Sequence, residues 1–312
     1  MTPNKAKKDF YLTDGGLETT LIFHYDISLP HFAAFTLLQY QAGREALKRY
    51  YLPYLQLAKK QGVGFILETP TWRANTDWGF KLGYTQAELD AINQRAVRFV
   101  RTLGSSRPEE TNAVLISGNI GPRGDGYVIE KAMTLAEASA YHLPQIKAFV
   151  KSKVDLVTAL TINYAEEAMG IIVAAEQQQM DVAISFTVET DGRLPSGEKL
   201  QSAIERTDQQ TNAYASHYMI NCAHPEHFST ILHKGGEWVN RIHGIRANAS
   251  AKSHAELDES TSLDIGDKCQ LANDYSALKG LLPSLRIVGG CCGTDHTHLE
   301  IICEQFFNPV QA

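Results

Sequence analysis

Short apolar runs rich in β-branched and aromatic residues recur along this chain, and after them come longer stretches whose apolar positions return at helical spacing. The runs are Phe10 to Asp14, Gly64 to Thr69, Ala113 to Ser117, Leu156 to Thr161, Val182 to Val188, Tyr218 to Cys222, Arg241 to Ile245 and Arg286 to Gly290. Helical periodicity fills Ala42 to Lys60, Thr85 to Leu103, Thr134 to Val150, Glu166 to Gln178 and Lys199 to Gln210. Thr85 with Glu88, and Thr134 with Glu137, have the spacing of a capping box, so they predict two helix starts. Eight strand-then-helix units, with no Pro/Gly/Ser-rich linker between them, predict the α/β class. The expected architecture is a (β/α)8 TIM barrel, one domain over residues 1–312, with a doubly wound open sheet as the alternative.

A barrel of this kind carries its chemistry just past the C-terminal ends of its strands. Asp14-Gly15-Gly16 follows the first run, Glu68-Thr69 ends the second, Asn119 follows the third, and Asn221-Cys222 ends the sixth. Asn248 follows the seventh run, and Cys291-Cys292 follows the eighth. Closing the barrel makes the eighth strand a neighbour of the first, which would bring Asp14 beside the cysteine pair.

Adjacent residues on a regular strand point to opposite faces, so Cys291 and Cys292 reach one ligand only where the strand ends and the chain curls. Gly289, Gly290 and Gly293 permit that curl. Buried structural thiols are the plain alternative, but three cysteines at two strand ends favour a zinc site of Cys222, Cys291 and Cys292 with one position open. Three thiolates on Zn2+ leave a net charge of about −1, a poor carbonyl polariser and a good host for a substrate thiol. A zinc hydrolase, which prefers histidine or carboxylate ligands, is therefore disfavoured.

Composition narrows the setting. Five cysteines, an odd number in a long chain, are poor material for a disulfide framework and fit a reducing cytoplasm. The segment Met1 to Lys8 is basic and is followed by Asp9 without an apolar signal core, and no run is long enough to span a membrane. With 29 basic against 35 acidic residues the net charge is −6, which argues against a nucleic-acid surface. The expected partners are small molecules; a homo-oligomer is compatible with the sequence. Cys269 and Cys303 fall in helical segments and are expected to be packing residues, while His224, His227, His296 and His298 are expected to be polar loop or helix-start residues.

Four segments together resemble the zinc-dependent homocysteine S-methyltransferases: Asp14-Gly15-Gly16-Leu17-Glu18-Thr19, Ser117-Gly118-Asn119-Ile120-Gly121-Pro122, Ile220-Asn221-Cys222 and Gly289-Gly290-Cys291-Cys292-Gly293. In order and spacing they span nearly the whole chain. The resemblance implies a (β/α)8 barrel, zinc on Cys222, Cys291 and Cys292, a small thiol acceptor such as homocysteine, and a sulfonium or quaternary ammonium methyl donor. The chain ends soon after its eighth unit, without the long C-terminal extension of relatives that use betaine, so S-methylmethionine is the donor expected.

Substrate binding is expected at Asp14, Gly15, Gly16, Glu68, Thr69, Asn119 and Asn248. Asp14 could receive the ammonium of an amino acid, with its carboxylate against the Gly15-Gly16 N–H groups, or it could cap its own turn. Asn248 matches the family's asparagine after strand seven and is either an occupant of the open zinc position or a turn former. Glu18 is expected to begin a helical stretch. The aromatic segment Trp72 to Tyr84 is either a donor-side lid that attracts cations or a packed loop. The polar stretch Ala251 to Asp267 is read as a mobile loop or a surface insertion. One departure stands out: many homocysteine-using relatives place a glutamate before the threonine that ends strand four, whereas this chain has Leu160-Thr161. The alternatives that follow are a different acceptor thiol, or a non-catalytic zinc- and thiol-binding barrel.

Overall fold

The computed structural model describes residues 9–105 and 113–307; the basic segment Met1 to Lys8 lies outside the described residues. Eight parallel strands close into a barrel in chain order: β1 (Tyr11–Leu12), β2 (Gly64–Glu68), β3 (Val114–Ile120), β4 (Leu156–Ile162), β5 (Val182–Phe186), β6 (His217–Asn221), β7 (Ile242–Ala247) and β8 (Ile287–Gly290). The eighth returns to the first, with Tyr11 opposite Ile287 and Leu12 opposite Val288, so the open-sheet alternative is excluded.

A principal helix follows each strand: α1 (Gln41–Gln61), α2 (Gln86–Ser105), α3 (Leu135–Lys151), α4 (Ala165–Gln177), α5 (Leu200–Gln210), α6 (Pro225–Leu232), α7 (Lys268–Leu281) and α8 (His296–Phe307). Their stripes explain their placement. In α1, Leu47, Tyr50, Tyr51, Tyr54, Leu57 and Ala58 are buried at three- and four-residue steps. Each large side chain so buried contributes roughly 1.5–3 kcal/mol. Gly62, at φ 70, then ends the helix in the left-handed conformation that glycine adopts without strain. Both expected capping boxes form. Thr134 and Glu137 satisfy each other's backbone N–H groups at the start of α3, and Thr85 and Glu88 do the same before α2.

The barrel interior follows the two-residue period of its strands. Ile66, Leu156, Met219 and Ile287 make an apolar floor, with Tyr11 and Leu115 packed against it. Two residues further along the same strands come Glu68, Ser117, Thr158 and Asn221, all buried. Ser117 and Thr158 share a 2.8 Å hydroxyl contact there. An apolar base thus carries a polar layer, and the site sits on that layer.

Candidate active site

Asn221 ends β6 with its side chain in the polar layer, so on a continued strand Cys222 would turn away from it. It does not continue. Cys222 adopts the left-handed region at φ 54, a conformation that costs a non-glycine residue about 1–2 kcal/mol. Asn221 braces the bend. Its Oδ1 accepts from the Thr161 N–H at 2.8 Å and from the Ser185 hydroxyl at 2.6 Å, and its Nδ2 donates to Thr161 Oγ1 at 2.8 Å. Thr161, at φ 62, is bent in the same way where β4 breaks register with β5.

From the other side, the loop after β8 curls at Gly293, φ 79. The Gly16 turn lies against it so closely that a Cβ on Gly16 would stand 2.7 Å from the Cys291 carbonyl oxygen. The three sulfur-bearing side chains of Cys222, Cys291 and Cys292 come together, all their Sγ atoms within 4.8 Å of one another. Cys222 and Cys292 sulfurs are 3.8 Å apart. Two sulfurs at 2.3 Å from one tetrahedral zinc are separated by about that distance. The Cys222–Cys292 spacing and the donor chemistry of the cluster therefore fit a thiolate-bound cation.

Cys222 and Cys291 are joined as a disulfide. The odd cysteine count, read as poor material for a disulfide framework, did not point to this single bond. Their Cα atoms, on loops 69 residues apart in sequence, lie 5.4 Å from each other, a separation that a disulfide spans. Ligation requires the pair reduced, since the thiolate is the ligand. Cys292 remains a free thiol, and burial, reinforced by Glu18, pushes it up to about 11 although a hydrogen bond with Tyr127 opposes the shift. Cys303 is buried as expected, but Cys269 is exposed in the first turn of α7 and is no packing residue.

A cavity of about 350 Å³ opens above the polar layer, a size suited to amino-acid-scale ligands. Asp14, Gly15, Gly16, Glu68, Thr69 and Asn119 line it together with the three cysteines; Asn248 does not. Asn248 is buried, its N–H bonded to the Ala223 carbonyl at 3.1 Å and its side-chain oxygen without a hydrogen-bond partner. Thr69 holds Asn119 in place, its hydroxyl accepting from the Asn119 N–H at 2.9 Å. The Gly16 N–H is already bonded to the Thr294 carbonyl at 3.0 Å.

Asp14 is not a free carboxylate. One oxygen accepts from Arg246 Nη2 at 2.7 Å and the other from the Tyr50 hydroxyl at 3.0 Å. Glu68 is different: its Oε2 is buried without a partner, and loss of water pushes its carboxyl up to about 7 despite the neighbouring Arg246 guanidinium. Glu18 also lines the cavity rather than merely starting a helix, and dehydration raises it to about 7. Leu160 forms an apolar part of the wall, 6% exposed.

Several contributors had no role in the sequence reading. Arg246 directly follows the run read as strand seven, and an arginine buried there demands a carboxylate partner, which was the available signal. His254 Nε2 donates to the Cys222 carbonyl, 2.6 Å away, and the ring stacks on Tyr127 with ring centres 3.8 Å apart. Only the fold could bring these two loops together. Of the aromatic segment Trp72 to Tyr84, Trp72 and Arg73 line the cavity, and Arg73 covers one face of Trp72 and one of Trp78, 4.0 Å from each ring centre. His224 caps α6, and His298 is held by Asp295 and the Ile265 carbonyl, which agrees with structural roles for both.

A family profile described as Homocysteine S-methyltransferase matches residues 11–306. A curated relative, Homocysteine S-methyltransferase 1 of Brassica oleracea var. italica, is 22% identical over 93% of this chain and 91% of its own. Among solved structures, the metallated form of the homocysteine methyltransferase MmuM from Escherichia coli superposes with a TM-score of 0.75 at 19% identity, covering 96% of this chain and 97% of that one. Its oxidised form gives a TM-score of 0.75 at 20% identity over 95% and 96% of the two chains.

Proposed function

Because this chain belongs to the homocysteine S-methyltransferase family, we propose that it transfers a methyl group from S-methylmethionine to homocysteine, with zinc held by Cys222, Cys291 and Cys292. The observation that carries this reading is the convergence of three sulfurs, within 4.8 Å of one another, on a cavity at the C-terminal end of the barrel. The whole chain, residues 1–312, is taken as one catalytic unit. A reducing cytoplasm would keep Cys222 and Cys291 as ligating thiols.

Zinc bound there would lower the pKa of an incoming thiol and leave its sulfur nucleophilic. The chain's own residues account for the rest. Glu68, with one oxygen unpartnered, is the carboxylate suited to the acceptor's ammonium, because Asp14 is committed to Arg246 and Tyr50. An ammonium beside Glu68 would draw its carboxyl back toward the ionised form. Asn221 and the Gly16 turn hold the two cysteine loops in register, so that acceptor sulfur and donor methyl can be aligned; such alignment is worth several kcal/mol. As the new carbon–sulfur bond forms, the electron pair of the breaking bond leaves with the donor and discharges its positive centre. Leu160 and the apolar wall around it exclude water from that event.

Leu160, together with the prior commitment of Asp14, also supports a second reading in which the acceptor is a thiol without an ammonium group. Purified, reduced and zinc-loaded protein incubated with S-methylmethionine and either homocysteine or its desamino analogue separates the two. Methionine formation that stops on chelation supports the first reading. Methylation of the analogue alone supports the second, and no methylation of either thiol rejects both.

A further inference from the structure

The outer part of the cavity contains a charge that the reaction above does not use. Arg73 lies five residues past the end of β2 and is 6% exposed. Its guanidinium is clamped between Trp72 and Trp78, 4.0 Å from each ring centre, and its Nη1 donates to the Gly124 carbonyl at 2.7 Å. The same carbonyl accepts from the Trp78 indole N–H at 3.2 Å, so the arginine and one wall of its clamp share an anchor. That anchor is itself fixed. Asn75 donates to the Pro122 carbonyl, and the Arg123 N–H donates to Glu167, which is paired with His142 at 2.8 Å in the protein interior.

A guanidinium held this firmly is preorganised, and its charge is incompletely balanced. Asp125, the nearest carboxylate, is 3.9 Å from Nη2 and 42% exposed, beyond hydrogen-bond reach, while Nε has no partner. Burial lowers the group only to about 10, so it is cationic at neutral pH. The tryptophan faces that Arg73 covers are closed to a cationic methyl donor. What the site can offer is a fork for an anion.

Glu18 supplies the complementary half. Its carboxylate lines the same cavity as Arg73 and the three cysteines. We propose that Arg73 binds the carboxylate of the methyl donor and that Glu18 faces the donor's sulfonium or ammonium centre, so that the enzyme selects zwitterionic donors and rejects donors with an onium charge alone. The inference rests on the methyltransferase reading and adds to it the two residues that read the donor.

The test uses the reduced, zinc-loaded full chain with S-methylmethionine, which has a carboxylate, and trimethylsulfonium, which has none. Because Trp72 and Trp78 flank Arg73, donor binding can be followed by tryptophan fluorescence without turnover. S-methylmethionine is expected to change the fluorescence saturably, with trimethylsulfonium at least about tenfold weaker. Arg73→Gln should raise the donor Kd and KM by about ten- to a hundredfold while the acceptor KM stays put, and Arg73→Lys should restore part of the loss. Glu18→Gln should weaken S-methylmethionine more than it weakens its neutral sulfide, methionine. The proposal is overturned if trimethylsulfonium binds as tightly as S-methylmethionine, or if Arg73→Gln, shown folded by its unfolding midpoint, moves the acceptor KM and not the donor's. Should no donor be turned over while donor binding still depends on Arg73, the methyl-transfer reading fails and this one stands.

Discussion

The carboxylate of Asp14 and the guanidinium of Arg246 meet at 2.7 Å inside the barrel, although 232 residues separate them in the chain. Both are almost fully shielded, at 4% and 5% side-chain exposure. Arg246 also donates to the Gly290 carbonyl at 3.1 Å, so it ties β7 to the turn after β1 and to the end of β8. Removing one partner of such a pair strands the other charge in a dehydrated site. Arg246→Met is therefore expected to lower unfolding stability by about 3–5 kcal/mol, read by denaturant melts. Asp14→Leu combined with Arg246→Met should recover part of that loss, and an unaltered single-mutant midpoint would contradict the account.

Gly16 permits the closest approach between the Asp14 turn and the cysteine loop. A methyl group there would meet the Cys291 carbonyl at 2.7 Å and the Thr19 hydroxyl closer still. Gly16→Ala should cost about 1–3 kcal/mol in stability. It should also weaken metal retention after reduction, measured as metal per chain at equilibrium with a competing chelator. Retention equal to the parent protein would show that the loop yields without disturbing Cys291.

In the reduced protein, Cys292→Ser replaces a strong thiolate donor with a hydroxyl while leaving the thiols of Cys222 and Cys291 in place. Bound zinc per chain should fall well below one after dialysis, and methyl transfer should drop by at least about a hundredfold. Full zinc occupancy in the variant would remove Cys292 from the ligand set.

Glu68 makes stability decline as pH rises. Its carboxyl is held near 7 by dehydration in the folded chain, against the ordinary 4.5 when unfolded. The folded chain consequently binds more protons between those values: the stabilisation is complete below 4.5 and is lost as pH climbs through about 7. Glu68→Gln should flatten the pH 4.5–7 slope, removing a loss of about 3 kcal/mol. Denaturation midpoints across that range check the sign, and a parallel slope in the variant would assign it elsewhere.

His217 acts in the opposite direction at the barrel floor. Burial, with stacking on His243 and proximity to Arg241, lowers it from 6.5 to about 3, so it remains neutral in the fold. Its contribution is present above 6.5 and is lost as pH falls toward 3, by up to roughly 5 kcal/mol. His217→Phe, which keeps a ring against His243, should be less acid-labile than the parent; equal acid midpoints would refute this.

The order of strands and helices was legible because each element states its own period: the tyrosines and leucines of α1 recur every three or four residues, and Thr134 with Glu137 marks the start of α3 locally. The thiol cluster was legible for a similar reason, since glycines beside Cys291 and Cys292 announce a bend and a closed barrel fixes which strand ends are neighbours. What each carboxylate does was not legible. Asp14, Glu18 and Glu68 are equivalent as letters, and only folding decides that Asp14 meets Arg246 and Tyr50, that Glu68 keeps an unpartnered oxygen, and that Glu18 lines the same cavity as Arg73 and Cys292. The same holds for Trp72 and Trp78, each of which has one face covered by Arg73 in the fold. Periodicity is a property of neighbours along the chain, whereas the charge left over at a site is a sum over partners from distant segments, and that sum exists only once the barrel has closed.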